Sequence, residues 1–207
     1  DSQPGASGRI GAVGAGALAG AARGGGFASS EAARGVLSFV TVVENRARAG
    51  RAGPSAAGAA DGYGGGIGGS YSGIELRNSM LAGNAVQDSS WNAARLGNCN
   101  SLPVLASGTN MSDSGDCSGV TAQPWLGALY DDGGTVPVVM LEVDSPAIDA
   151  AIDCAILQDR PELNATDIRG AARPQDGDGY GGAHCDIGAY EADAIVGDEV
   201  FRDGFDA

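Results

Sequence analysis

Arg23-Gly24-Gly25-Gly26-Phe27 recurs forty residues later as Tyr63-Gly64-Gly65-Gly66-Ile67. A second landmark follows in each unit. Val42-Val43-Glu44-Asn45-Arg46-Ala47 aligns with Leu81-Ala82-Gly83-Asn84-Ala85-Val86 at a shift of 39. Two landmarks in the same order and at nearly the same spacing mark a duplicated unit. Between them run Val36-Leu37-Ser38-Phe39-Val40-Thr41-Val42-Val43 and Ile74-Glu75-Leu76-Arg77-Asn78-Ser79-Met80-Leu81. Partial alternation and β-branched content predict strands there. The Gly-rich corners and the Asn at strand ends suit turns that need positive φ. Short strands, tight corners and a repeat together predict an all-β parallel solenoid. No single turn of such a fold buries its apolar face alone, so the turns stack. Residues 47–66 are expected to be a flexible insertion between strands.

The composition agrees with an elongated fold built on small side chains. Glycine supplies 36 of 207 residues, against a usual share of about 7%. Aromatics make up 5% and apolar residues 43%, which disfavours a bundle packed on Leu and Phe. The formal net charge is −14, and all 12 basic residues are Arg. The charge is uneven. Residues 1–95 hold 8 Arg and 6 acids, a balance of +2; residues 96–207 hold 4 Arg and 20 acids, a balance of −16. A field of that sign repels phosphate backbones and argues against nucleic acid as a partner. It attracts divalent cations, and it also serves simply as a solvating surface. The longest apolar stretch, Ile10 to Ala22, is broken by Gly and is too short for a membrane span of about 20 residues.

Beyond residue 96 loops dominate, rich in Asp, Asn, Ser and Pro, with isolated apolar runs such as Val136–Leu141. This region, 96–192, is expected to cover the end of the solenoid, where unpaired strand groups must be managed. Residues 193–207 read as an acidic tail. The four cysteines, Cys99, Cys117, Cys154 and Cys185, form no C-x-x-C, and there is one His, which speaks against zinc. An even count in a loop-rich chain suggests two disulfides and an oxidising compartment. Of three connectivities, Cys99–Cys117 with Cys154–Cys185 closes the shortest loops and is the one expected.

An ordered series of motifs carries a family resemblance. It runs through Gly64-Gly65-Gly66-Ile67, Ile74–Asn84, Asp116-Cys117-Ser118-Gly119, Pro124-Trp125-Leu126-Gly127 and Leu129–Gly134. It continues with Asp144-Ser145-Pro146-Ala147-Ile148-Asp149-Ala150, Asp167–Pro174 and Cys185-Asp186-Ile187-Gly188-Ala189-Tyr190-Glu191. Over roughly residues 60–192 the chain resembles the C-terminal part of bacterial exported right-handed parallel β-helix proteins of the choice-of-anchor Q type. These are similar in turn to polymorphic outer-membrane and adhesin-like proteins. The resemblance implies a stalk, export and surface attachment, and it implies no enzyme. Val200-Phe201-Arg202-Asp203-Gly204-Phe205-Asp206 resembles a short terminal motif on exported gammaproteobacterial proteins; a frayed acidic end is the alternative. The sequons at Asn110 and Asn164 carry little weight in a bacterial chain.

Arg169 and Arg173 lie among acids, and structural pairing with Asp149, Asp167 or Asp186 is expected. A polysaccharide lyase or hydrolase would need converging carboxylates or a strong base on one solenoid face. Apart from Asp1, the repeat half offers only Glu31, Glu44, Asp61, Glu75 and Asp88, and Asp131-Asp132 falls in a Gly-Gly turn. No G-x-S-x-G occurs, the sole His184 adjoins Cys185, and the absence of Lys rules out a P-loop. The best small-ligand signal is Asp176-Gly177-Asp178-Gly179-Tyr180-Gly181, where Asp176 and Asp178 are calcium candidates. Tyr180 and Ile187 stand where an EF-hand has ligands, so an ordinary polar turn competes. The function expected is a non-catalytic extracellular or cell-surface structural and adhesive module, with a host or matrix glycan or protein as partner. Self-association into fibres through open solenoid ends is a second expectation, and the polysaccharide-active enzyme is a third.

Overall fold

The structure, a computed structural model, describes residues 21–29, 35–51, 60–69, 73–90, 93–99, 105–131, 136–154 and 165–194. The centre of the expected insertion, the Asp132 of the Asp131-Asp132 pair, Asn164 and nearly all of the tail lie outside them. All regular structure among the described residues is β, in sheets of two to four strands.

A first layer comprises β1 (Ala22–Arg23), β2 (Phe27–Ser29), β3 (Gly35–Ser38), β4 (Thr41–Val43) and β5 (Arg46–Arg48). A second comprises β6 (Gly62–Tyr63), β7 (Ile67–Gly69), β8 (Ile74–Arg77), β9 (Met80–Ala82) and β10 (Ala85–Gln87). Each strand of the first layer pairs in parallel with its counterpart in the second. Arg23 meets Tyr63, Phe27 meets Ile67, Leu37 meets Leu76, Val42 meets Leu81 and Ala47 meets Val86. The duplicated motifs of the sequence are therefore hydrogen-bonded neighbours, at the shifts of 40 and 39 that the sequence shows.

Each long apolar run is two strands with a corner, rather than one strand. Phe39, at φ 51°, separates β3 from β4, and Asn78, at φ 45°, separates β8 from β9. A third layer is shorter. It holds β11 (Arg95–Leu96), antiparallel to β10, and β12 (Leu105–Ser107) and β13 (Met111–Ser112), parallel to β8 and β9. β14 (Val120–Thr121) extends the β9 sheet by pairing in parallel with β13. The sheets thus run across residue 96 without a break. β15 (Leu126–Tyr130) and β16 (Val138–Leu141) then form an antiparallel pair.

Corners are held by buried amides. Asn84 Nδ2 donates to Val42 O at 2.7 Å and to Asn98 Oδ1 at 2.8 Å, while its Oδ1 accepts from Asn45 N at 2.9 Å. Asn78 donates to Asp153 O and accepts from Thr109 N. An unmade bond at such fully buried positions costs about 1–3 kcal/mol, so a column of Asn fixes how the layers align. Glycine serves a different need. Gly64 sits at φ 58°, and a Cβ on its neighbour Gly65 would lie 2.4 Å from Ala85 O and 2.5 Å from Ala85 N. Those are backbone atoms of the adjacent corner and cannot rotate away. Gly65→Ala is expected to cost about 1–3 kcal/mol by overpacking, read as a lower urea midpoint. Gly170→Ala, with open space but φ 88°, separates conformational strain from steric conflict.

Between the corners, Val42, Ile67, Ile74, Leu76, Leu81 and Cys99 form one apolar column. Phe39, Met80, Met111, Ala147, Ala151, Cys185 and Ile187 form another, in which the irregular C-terminal region packs against the layers. Gly188 N donates to Asn78 O at 2.9 Å, and Ala189 N donates to Thr41 Oγ1 at 2.9 Å. Both expected disulfides are present, Cys99–Cys117 and Cys154–Cys185.

Candidate functional site

The acids and arginines singled out in the sequence gather in the C-terminal region as two groups. One is a buried ion network. Arg169 Nε meets Asp167 Oδ2 at 2.8 Å, and its guanidinium lies 3.9 Å above the Tyr190 ring. Arg173 has a side chain 1% exposed. It pairs with Glu191 Oε2 at 3.5 Å, donates to Gly188 O at 2.8 Å, and stacks 4.5 Å from the Phe39 ring. The acid that meets Arg173 through its side chain is thus Glu191, which the sequence did not single out. Asp186 takes another part. Its carboxylate oxygens accept Asp149 N and Ala192 N, while its hydrogen bond with Arg173 is made through the backbone carbonyl and its charge acts on Arg173 without direct contact. Among the described residues Asp149 pairs with no arginine; its oxygens are taken by the turn of residues 176–184.

That turn is the second group. Asp149 Oδ1 accepts His184 N at 2.9 Å and its Oδ2 accepts Asp178 N at 3.0 Å. Asp176 accepts Gly179 N and Gly181 N, and Asp178 Oδ1 accepts Tyr180 N. Ligand oxygens of Asp149, Asp176 and Asp178 lie within 4.8 Å of one another. The set is all oxygen, the kind that suits a hard cation such as calcium. Five of the six oxygens already accept a backbone N–H, which is the chemistry of a polar turn. Asp149 joins Asp176 and Asp178 from 27 residues upstream, a convergence that spacing alone does not reveal.

Asp167, Asp186 and Glu191 are buried, and their oxygens are taken by main-chain donors: Arg169, Ala171 and Glu191 N on Asp167, and Gln175 and Asp186 N on Glu191. His184 is exposed beside a disulfide.

Burial sets the protonation of this network. It pushes Asp186 up to about 6 and Glu191 up to about 7. Burial also pushes Asp167 up, but Arg169 and the backbone donors more than offset it, leaving Asp167 below the ordinary carboxylate value. In the unfolded chain Asp and Glu titrate near 3.9 and 4.3. Between those values and 6–7 the folded protein holds protons that the unfolded chain has lost. The stability contributed by Asp186 and Glu191 is therefore complete below about pH 4 and is lost as pH rises through 6 and 7. Asp167 acts in the opposite sense, and its contribution is lost only as pH falls through its depressed value. The melting temperature is expected to rise from pH 8 to pH 5. Glu191→Gln is expected to remove about 2–3 kcal/mol of that dependence, measured as Tm against pH for both proteins.

No family model, curated protein or solved structure matches this chain.

Proposed function

We propose that the chain is part of a right-handed parallel β-helix of an exported protein, serving as a non-catalytic structural and adhesive module at a cell surface. The observation that carries this is the register. Five successive strands each pair in parallel with the strand 39 or 40 residues later, as expected when a chain winds at constant pitch. The two disulfides favour an oxidising compartment. The resemblance to choice-of-anchor Q proteins points the same way. The engagement of the clustered carboxylates by backbone amides favours scaffold over catalyst.

The test is an assay of the purified chain on neutral and uronate polysaccharides. Reducing ends are read for hydrolysis and unsaturated uronide absorbance for elimination, alongside limited proteolysis. The expected result is a protease-resistant protein with no turnover. Turnover abolished by Asp149→Asn or Asp176→Asn would overturn the non-catalytic reading. In this proposal the loop of residues 176–181 is a turn; a calcium-dependent rise in Tm that Asp178→Asn abolishes would make it a cation site instead. Sedimentation across a concentration series separates a monomeric stalk from a self-assembling fibre subunit.

A further inference from the structure

A groove of about 590 Å³ lies where the second-layer corner faces β15, within the ~300–1,000 Å³ of ordinary small-molecule sites. Its lining includes Glu44, Asp113, Gln123, Trp125, Leu129 and Val139. Trp125 is 51% exposed and Leu129 is 69% exposed. We infer that this groove binds a neutral saccharide, with Trp125 as the stacking platform and Glu44 and Gln123 as partners for hydroxyl groups. This inference rests on the reading of the chain as an extracellular, non-catalytic module.

The indole is presented by a fixed backbone. Trp125 adopts φ 43°, a conformation that a bulky residue holds only when its surroundings impose it, at a cost of about 1–3 kcal/mol. On one side Pro124 is buried and its carbonyl accepts Ser145 Oγ; on the other, Trp125 O accepts Glu142 N at 2.9 Å. The opposite wall is equally fixed. Asp113 accepts Gly83 N at 2.7 Å and Asn98 Nδ2 at 2.6 Å. Glu44, at φ 55°, packs beside Gly83. Glu44 and Gln123 are exposed at the rim. A site pre-organised in this way loses little entropy on binding.

The chemistry of the lining selects the ligand. The face of a pyranose carries weakly positive C–H groups that complement the negative π face of an indole. Its hydroxyls need both acceptors and donors, which the Glu44 carboxylate and the Gln123 amide provide. Among the described residues no Arg lines the groove, and the chain carries no Lys and a net charge of −14, so sulfated and uronic glycans are repelled. A cage for a cationic side chain would place several aromatics around the charge; among the described residues one indole stands here beside aliphatic Leu129 and Val139.

The experiment is titration calorimetry of the whole chain with neutral β-1,4 gluco-, xylo-, manno- and chito-oligosaccharides, with oligogalacturonate and pentalysine as charged arms. Saturable 1:1 binding of a neutral oligosaccharide is expected, weakened about tenfold or more by Trp125→Ala and several-fold by Glu44→Gln, with Tm unchanged in the Glu44 variant. Three outcomes overturn the inference. One is no neutral binding up to about 10 mM. Another is neutral binding indifferent to both variants. The third is binding of pentalysine alone, lost in Glu44→Gln, which would make this a site for cationic peptide. Chromatography of the titrated sugar keeps the two proposals apart. Cleavage products would leave the groove standing and remove the non-catalytic reading, whereas absent binding without cleavage would do the reverse.

Discussion

Arg173→Ala is expected to destabilise the protein by about 3–5 kcal/mol at pH 8, the usual result of removing one partner from a buried ion pair. The side chain is 1% exposed and closes several contacts at once. Its loss strands the fully buried Glu191 carboxylate, leaves Gly188 O without its donor at 2.8 Å, and uncovers the Phe39 ring. The effect should shrink towards pH 5. There Glu191, raised to about 7, and Asp186, raised to about 6, carry protons and no longer need a counter-charge. Urea unfolding at both pH values checks this. The double variant Arg173→Met with Glu191→Gln should recover part of the loss at pH 8, because it removes both charges together. Equal losses at pH 5 and pH 8 would show that packing, rather than charge, is what Arg173 contributes.

Leu81→Ala should cost about 2–5 kcal/mol, the range for emptying a well-packed site. Leu81 is fully buried in β9, pairs with Val42 across the layers and sits in the column with Ile67, Leu76 and Cys99. Strands of three or four residues hold such a column on both sides, so the cavity has little freedom to collapse. Val143→Ala is the control, since Val143 is 79% exposed and its truncation should fall within about 0.5 kcal/mol. Denaturant midpoints at unchanged slope are the measurement.

The layered part of this fold was legible because its punctuation lies in residue types. Three consecutive glycines are needed where two corners approach within a Cβ radius, Asn84 is needed where one amide must bond layers on both sides, and Asn45 donates to it from the layer before. Any duplication of the layer repeats those residues. The corner at Asn78 carries a residue that tolerates positive φ, but the one at Phe39 does not, so the run from Val36 to Val43 looked unbroken. The third layer, whose pairing shift falls to 30 or 31, keeps no glycine triplet to announce it. The candidate sites were less legible still. Which acid meets Arg173 depends on how the segment after Cys185 turns, and nothing local distinguishes Glu191 from Asp186. Asp149 reaches Asp176 and Asp178 through tertiary packing, in which Ile187 N donates to Ala147 O at 2.9 Å and Asp149 N to Asp186, and no local spacing announces it.

The bond from Ala189 N to Thr41 Oγ1 joins residues 148 apart in the chain. During synthesis β4 emerges long before its partner exists. The second apolar column, which draws Phe39 and Met80 together with Cys185 and Ile187, must then wait half-built with its surface open to water. Loop closure of this length is entropically slow, and domains dominated by such distant pairings fold in about milliseconds to seconds. The segment around Cys185–Ala189 therefore completes strands made long before it, and until it docks that apolar surface stays exposed.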